Sequence, residues 1–129
     1  MLSDYRYRKA REIVKSARIG EGGKRMLFCA LRQYRKNLEP RDSLYQETIN
    51  GKKTACLVGA ALADVFKYQP NPDGDDFSWN DKAVNEFGVR ADSVENLIGG
   101  FDHPPEDRMY DRSRYAIVGQ RLRKFLIGD

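Results

Sequence analysis

The stretch ACLVGAALADVFKY, residues 55–68, carries the broadest apolar face in the chain and decides the fold. Its large and small apolar side chains recur at the spacing of a helix; they are Leu57, Val58, Ala61, Leu62, Val65 and Phe66. Gly59 and Ala60 lie among them and are small enough to let a neighbouring segment approach closely. We therefore predict that residues 55–68 form the central helix of the protein.

Two amphipathic segments precede this stretch. Residues 3–18 have apolar side chains at helical spacing, and Ser3 is placed to cap the first turn. A second apolar stripe begins near Lys24 and ends at Pro40, which cannot continue a helix. The sequence therefore predicts two helices before the central one.

A turn is predicted between the second helix and the central one. The dipeptide Asn50-Gly51 favours a tight turn with positive φ, so a small hairpin is expected around residues 48–54. After the central helix, the pattern predicts short helices over residues 80–87 and from residue 92 onward, then a last helix over residues 107–126.

These segments predict a mainly α fold: a compact bundle of five or six short helices with at most one small β-hairpin. The length of 129 residues suits one helical domain spanning residues 1–129. Charged residues at 33% and apolar residues at 40% are typical of a globular protein. The predicted core consists of Ile13, Leu27, Leu31, Leu57, Val58, Leu62, Val65, Leu97, Val118 and Leu122.

Charge is divided along the chain. Residues 1–41 hold 12 basic and 4 acidic side chains, and residues 108–129 hold 6 and 2. Residues 42–107 hold 5 basic and 13 acidic side chains, so the net charge of +4 hides an acidic middle between two basic ends. Such asymmetry is typical of proteins that bind a charged partner.

The basic side chains of the terminal helices are the candidate binding site. If the first and last helices pack side by side, their basic faces merge and attract a nucleic-acid backbone or an acidic protein surface. The candidate residues are Arg8, Arg11, Lys15, Arg18, Lys24, Arg25, Arg114, Arg121 and Lys124. The alternative is that these cations pair with the acidic middle of the same chain.

Nucleic-acid binding through the backbone, without strong sequence preference, is the predicted function. The second hypothesis is a protein interaction module, an inhibitor or assembly factor, which binds an acidic protein surface through an exposed aromatic anchor. The candidate anchors are Tyr5, Tyr7, Phe77, Trp79 and Tyr110.

A thiol-dependent enzyme is the third hypothesis. Cys29 and Cys56 lie in apolar helical patterns, which favours buried, reduced thiols. His103 is the only histidine, next to Asp102, and a Cys56–His103 pair is the minimum for nucleophilic thiol catalysis.

The sequence does not match the cofactor-binding and metal-binding motifs that it partly resembles. Residues 20–25, GEGGKR, lack the spacing of a phosphate-binding Walker A loop, and the acidic loop around residues 71–82 departs from the EF-hand order. We therefore expect a non-enzymatic protein with neither cofactor nor metal.

The stretch GKKTACLVGAAL, residues 51–62, followed by LIGGFD at residues 97–102, resembles a group of small uncharacterised bacterial and phage proteins. Those proteins carry a glycine turn, a C-x-x-G-A helix and a later aliphatic segment. The resemblance implies an origin in a phage or mobile element, and it implies no chemistry.

The longest run without a charged residue, residues 54–63, is half of the roughly 20 residues needed to cross a bilayer. No apolar region follows the basic N-terminus as it does in a secretory signal. We expect no membrane partner and a cytoplasmic location.

Overall fold

Six helices and three short strands follow one another in the computed structural model, which describes residues 2–42, 45–68, 76–102 and 113–128. In chain order they are α1 (Asp4–Ser16), α2 (Glu21–Lys36), β1 (Glu39–Pro40), β2 (Gln46–Ile49), β3 (Lys52–Ala55), α3 (Leu57–Val65), α4 (Asp76–Phe87), α5 (Ala91–Asp102) and α6 (Arg114–Leu126). The prediction of a mainly α fold with a small hairpin is confirmed.

Side-chain caps fix where several helices begin. The Ser3 hydroxyl accepts a hydrogen bond from the backbone N–H of Arg6 at 3.3 Å, as predicted. Ser113 caps α6 in the same way, through the N–H of Ala116 at 3.1 Å. Because Ser113 has extended backbone, α6 begins at Arg114; residues 107–112 of the predicted last helix lie outside the described residues.

The hairpin lies where the turn dipeptide predicts it. Asn50 and Gly51 both have positive φ, at 51° and 79°, and connect the antiparallel strands β2 and β3. Strand β1 was not predicted; it pairs in parallel with β3, so the sheet order is β1-β3-β2. Pro40 belongs to β1 and does not end α2, which already stops at Lys36.

Helix α3 lies at the centre and packs mainly against α2. Every residue from Leu57 to Ala63 is buried. An added Cβ at Gly59 would lie 1.6 Å from the carbonyl oxygen of Tyr45, so only glycine allows the segment before β2 to approach this closely.

The end of α3 corrects the sequence prediction. The backbone leaves the helix at Phe66, at φ −108° and ψ −160°, although the apolar pattern continues to that residue. Val65, the last residue of α3, is 36% exposed, and Phe66, which follows it, is 53% exposed. The placement of Val65 in the core is wrong, because the burial of α3 ends at Ala63, before the helix itself ends.

The core is one cluster to which all six helices contribute. Eight of the predicted core residues are buried: Leu27, Leu31, Leu57, Val58, Leu62, Leu97, Val118 and Leu122. Ile13 is only partly buried, and its neighbour Val14 is fully buried instead.

Helix α1 contacts both α2 and α6, and α5 packs closely on α6. In the part of the chain that the structure describes, no helix has the length and apolar character needed to cross a membrane.

Candidate functional site

Arg11, one of the predicted cations of α1, packs against α2. The guanidinium carbon of Arg11 lies 5.1 Å from the centre of the Phe28 ring of α2 and 5.7 Å from that of Tyr7. Arg35 of α2 reaches back over the same Tyr7 ring, at 5.5 Å. Tyr7 therefore contacts guanidinium groups from both helices. The Arg11 side chain, which lies at the Tyr7 and Phe28 rings, is half-buried.

The other predicted cations of α1 share the side of Arg11 or lie beside it. Arg8 and Lys15 are exposed and lie at i−3 and i+4 from Arg11, on the same face of the helix. Arg18 is also exposed, but it lies in the connection between α1 and α2 because α1 ends at Ser16. Lys24 of α2 donates a hydrogen bond to the backbone carbonyl of Lys15 at 2.8 Å.

Helix α2 carries its own row of arginines at i, i+7 and i+10, namely Arg25, Arg32 and Arg35. Arg35 is paired with Asp4 of α1. The site predicted from the sequence includes Arg25 but not Arg32 or Arg35. Their helical spacing from Arg25 was the signal that could have identified them.

Carboxylates from other helices hold two of these guanidinium groups. Arg25 pairs with Glu86 of α4 at 2.9 Å, and Arg32 pairs with Asp64 of α3 at 3.1 Å. The arginine side chains remain 52% and 54% exposed, whereas Glu86 and Asp64 are only 26% and 11% exposed. The carboxylates are thus more buried than the arginines that they restrain.

We group eight basic residues of α1, α2 and their connection under the name α1–α2 basic surface. It consists of Arg8, Arg11, Lys15, Arg18, Lys24, Arg25, Arg32 and Arg35. Six of these eight residues belong to the site predicted from the sequence.

The three remaining candidates belong to α6, which packs on α1. Arg114, Arg121 and Lys124 are exposed. The ammonium of Lys124 lies 5.9 Å from the ring centre of Phe125, on its own helix. A merged α1–α6 surface stays a prediction, although the two helices do pack together.

Pairing with the acidic middle of the chain also occurs. In addition to the Arg25–Glu86 and Arg32–Asp64 ion pairs, Arg41 lies 3.8 Å from Glu47. Arg123 is buried on α6 and donates to Asp42 at 2.8 Å and to the carbonyl oxygen of Phe101. Arg123 is therefore part of the packing, since burial removes it from the surface that a partner could reach.

Both cysteine thiols are buried. Cys56 is buried and caps α3, where its Sγ accepts a hydrogen bond from the N–H of Gly59 at 3.5 Å. Burial raises the pKa of the Cys56 thiol to about 12, so the thiol keeps its proton at neutral pH. Burial also raises the pKa of the Cys29 thiol. His103, its predicted partner, lies outside the described residues.

The predicted aromatic anchors have different surroundings. Tyr5 is exposed, whereas the ring of Tyr7 already contacts the guanidinium groups of Arg11 and Arg35. Trp79 is buried and stacks on Tyr45 with ring centres 5.7 Å apart. The side chain of Phe77, like the whole of Tyr110, falls outside what the structure describes. Phe66 is an exposed ring that the sequence analysis assigned to the apolar face of the central helix.

No family model, curated protein or solved structure matches this chain. The resemblance to small bacterial and phage proteins stays a prediction.

Proposed function

We propose that the protein binds nucleic acid through its phosphate backbone, with the α1–α2 basic surface and without strong sequence preference. The observation that carries the proposal is the concentration of eight cationic side chains on two neighbouring helices and their connection. Only three acidic residues, Asp4, Glu12 and Glu21, belong to those two helices. Such a surface raises the local concentration of a polyanion.

The arrangement of the arginines supports phosphate as the group that is bound. A guanidinium carries five N–H donors in a planar fork that matches phosphate oxygens, so pairing with one carboxylate does not exhaust it. Glu86 and Asp64 restrain Arg25 and Arg32 in advance, which reduces the side-chain entropy lost on binding.

Weak sequence preference follows from the same arrangement. Contacts to phosphate position a protein on nucleic acid but carry no direct sequence information. Val84, Gly88, Val94 and Leu97 match the sequence spacing of a helix-turn-helix. The side chains of Asp92 and Glu95 on α5 are exposed, however, and would repel the phosphates beside a groove. Base reading by α5 is therefore disfavoured.

Salt titration of oligonucleotide binding tests the proposal. Each phosphate neutralised on duplex DNA contributes about −0.9 to the slope of log affinity against log salt, so four contacts give about −3.6. Two duplexes of unrelated sequence should give the same slope. Arg8→Ala should make the slope about one unit less steep, whereas Lys52→Ala, an exposed lysine on β3, should leave it unchanged. Absence of binding at low salt would refute the proposal.

A protein partner with an acidic surface is the second candidate, favoured by the exposed ring of Tyr5. The ammonium of Lys9 lies 5.7 Å from the centre of that ring, so an aromatic anchor and a cation are presented together. For this candidate, Tyr5→Ala should weaken binding of the purified partner and leave oligonucleotide affinity unchanged. Equal binding of the partner by the wild-type protein and by the Tyr5→Ala variant would exclude Tyr5 as the anchor.

A further inference from the structure

Arg11 differs from the other restrained arginines of the α1–α2 basic surface in what holds it. Three of them are each paired with a carboxylate, in the pairs Arg25–Glu86, Arg32–Asp64 and Arg35–Asp4. Within the described ranges of the chain Arg11 forms no ion pair, and two aromatic rings hold its guanidinium instead. Arg11 is therefore restrained by contacts that do not neutralise its charge.

The two rings come from different helices. Tyr7 lies one turn before Arg11 on α1, and the centre of its ring is 5.7 Å from the guanidinium carbon. Phe28 belongs to α2, and the corresponding distance is 5.1 Å. The Nη1 atom of Arg11 also donates a hydrogen bond to the Tyr7 hydroxyl at 3.3 Å. Contacts between a cation and aromatic rings are attractive and restrict the side chain, but they leave its positive charge in place.

This restraint favours the binding of phosphate by Arg11. A side chain that is already held in one position loses less entropy when it binds a ligand. A guanidinium has five N–H donors, and the bond to Tyr7 engages one of them, so Arg11 keeps donors for phosphate oxygens. Arg11 is half-buried, so it is not withdrawn into the core in the way that Arg123 is.

Arg8 provides the comparison on the same helix. It lies three residues before Arg11 and is exposed. In the part of the chain that the structure describes, no hydrogen bond, ion pair or ring contact restrains the Arg8 side chain. Arg8 therefore has to lose its side-chain freedom at the moment of binding, whereas Arg11 has lost much of it already.

We infer that Arg11 is the main phosphate contact of the α1–α2 basic surface and that Tyr7 and Phe28 are its positioning residues. The inference rests on the proposed function and names the residue on which the affinity depends most. It gives Tyr7, which the sequence predicts as an anchor for a protein partner, a different role: its ring orders a cation for a polyanion.

Arg11→Ala and Arg8→Ala are matched variants, because each removes one cation from the same face of α1. With a duplex, each should make the slope of log affinity against log salt less steep by about 0.9. At one fixed salt concentration, Arg11→Ala should bind more weakly than Arg8→Ala by about 2- to 12-fold, which corresponds to the cost of immobilising one flexible side chain. Arg11→Lys keeps the charge but not the planar fork, so it should keep the slope and lose affinity.

Phe28→Leu tests the positioning role. The substitution removes the ring and no charge, so the salt slope should not change, while the affinity should fall by about 2- to 12-fold. Phe28→Tyr should retain the affinity because it retains a ring. In a protein that already carries Arg11→Ala, Phe28→Leu should cause no further loss, since a residue that acts through Arg11 then has nothing to position. The Tm of each variant, from circular dichroism, shows that it is folded.

The outcomes separate this inference from the proposed function. Equal affinities of Arg11→Ala and Arg8→Ala, or an unchanged salt slope in Arg11→Ala, would overturn Arg11 as the main contact, while the slope change in Arg8→Ala kept the basic surface. An equal loss from Phe28→Leu with and without Arg11→Ala would overturn the positioning role of Phe28. Absence of binding by the wild-type protein at low salt would overturn both proposals.

Discussion

Adding one methyl group at Gly59 tests the close contact on which the placement of α3 depends. The added Cβ would lie 1.6 Å from the Tyr45 carbonyl oxygen and 2.4 Å from its carbonyl carbon, whereas ordinary contact begins at 3.4 Å. Both atoms belong to the backbone, so no side-chain rotation relieves the overlap. We expect Gly59→Ala to push α3 and the segment before β2 apart.

The cost follows from the bonds at this contact. Overpacking of a core costs about 1–3 kcal/mol. Two hydrogen bonds would be strained, from the Cys56 N–H to the Tyr45 carbonyl and from the Gln46 amide to the Gly59 carbonyl, at about 1 kcal/mol each. Alanine recovers about 1 kcal/mol of helix propensity. The free energy of unfolding should therefore fall by about 2–4 kcal/mol.

Thermal denaturation followed by circular dichroism measures this loss. At roughly 4 °C per kcal/mol for a chain of this size, Gly59→Ala should lower the Tm by about 8–16 °C. Gly20→Ala is the matched control, since no atom lies within 4 Å of its added Cβ, and its cost at the N-cap of α2 is below about 1 kcal/mol. Equal Tm values for the two variants would refute the close contact.

Two further predictions concern stability. Leu62→Ala should lower the free energy of unfolding in urea by about 2–5 kcal/mol because Leu62 is buried, and Val65→Ala by only about 0.5 kcal/mol because Val65 is exposed. Similar losses would contradict the observed end of α3. The second prediction is a loss of stability between pH 9 and pH 12: the unfolded Cys56 thiol ionises near its ordinary pKa of 9.0, while the folded thiol keeps its proton to about 12. The slope from this group is at most about 1.4 kcal/mol per pH unit, and Cys56→Ser, which keeps a capping oxygen, should make the decline shallower. If the free energy of unfolding of Cys56→Ser fell with pH as steeply as that of the wild type, ionisation of the Cys56 thiol would not contribute to the loss of stability.

Much of the fold was predictable because local chemistry decides it. Ser3 is a helix cap with a hydroxyl in the right place, and Asn50-Gly51 is a dipeptide that accepts positive φ at both positions. Strand β1 was not predictable, since two residues carry no periodicity and their pairing with β3 is a long-range contact. The end of α3 at Phe66 was missed because the apolar pattern continues beyond the helix.

The candidate site was predicted as a set of charges, without its location. Helical spacing shows that Arg8, Arg11 and Lys15 share one face of α1, but it does not show which neighbour that face meets. The ring contact between Arg11 and Phe28 depends on how α1 packs on α2. The burial of Arg123 likewise depends on Asp42, which is far away in the chain.

The most direct test compares the two faces that could bind nucleic acid. Arg8 and Lys15 on α1, and Arg114 and Arg121 on α6, are all exposed, and within the described ranges none of them forms an ion pair. Removing two charges from each helix gives the matched variants Arg8→Ala/Lys15→Ala and Arg114→Ala/Arg121→Ala. Both should fold, because the four side chains lie outside the core.

The measurement is the slope of log affinity against log salt for each variant with the same oligonucleotide. Our account predicts that the α1 variant has a slope less steep by about 1.8, which corresponds to two phosphate contacts on a duplex; a similar change in the α6 variant would show that the binding surface extends onto α6, as the sequence predicts. A loss confined to the α6 variant, with the α1 variant unchanged, would contradict the assignment of binding to the α1–α2 basic surface.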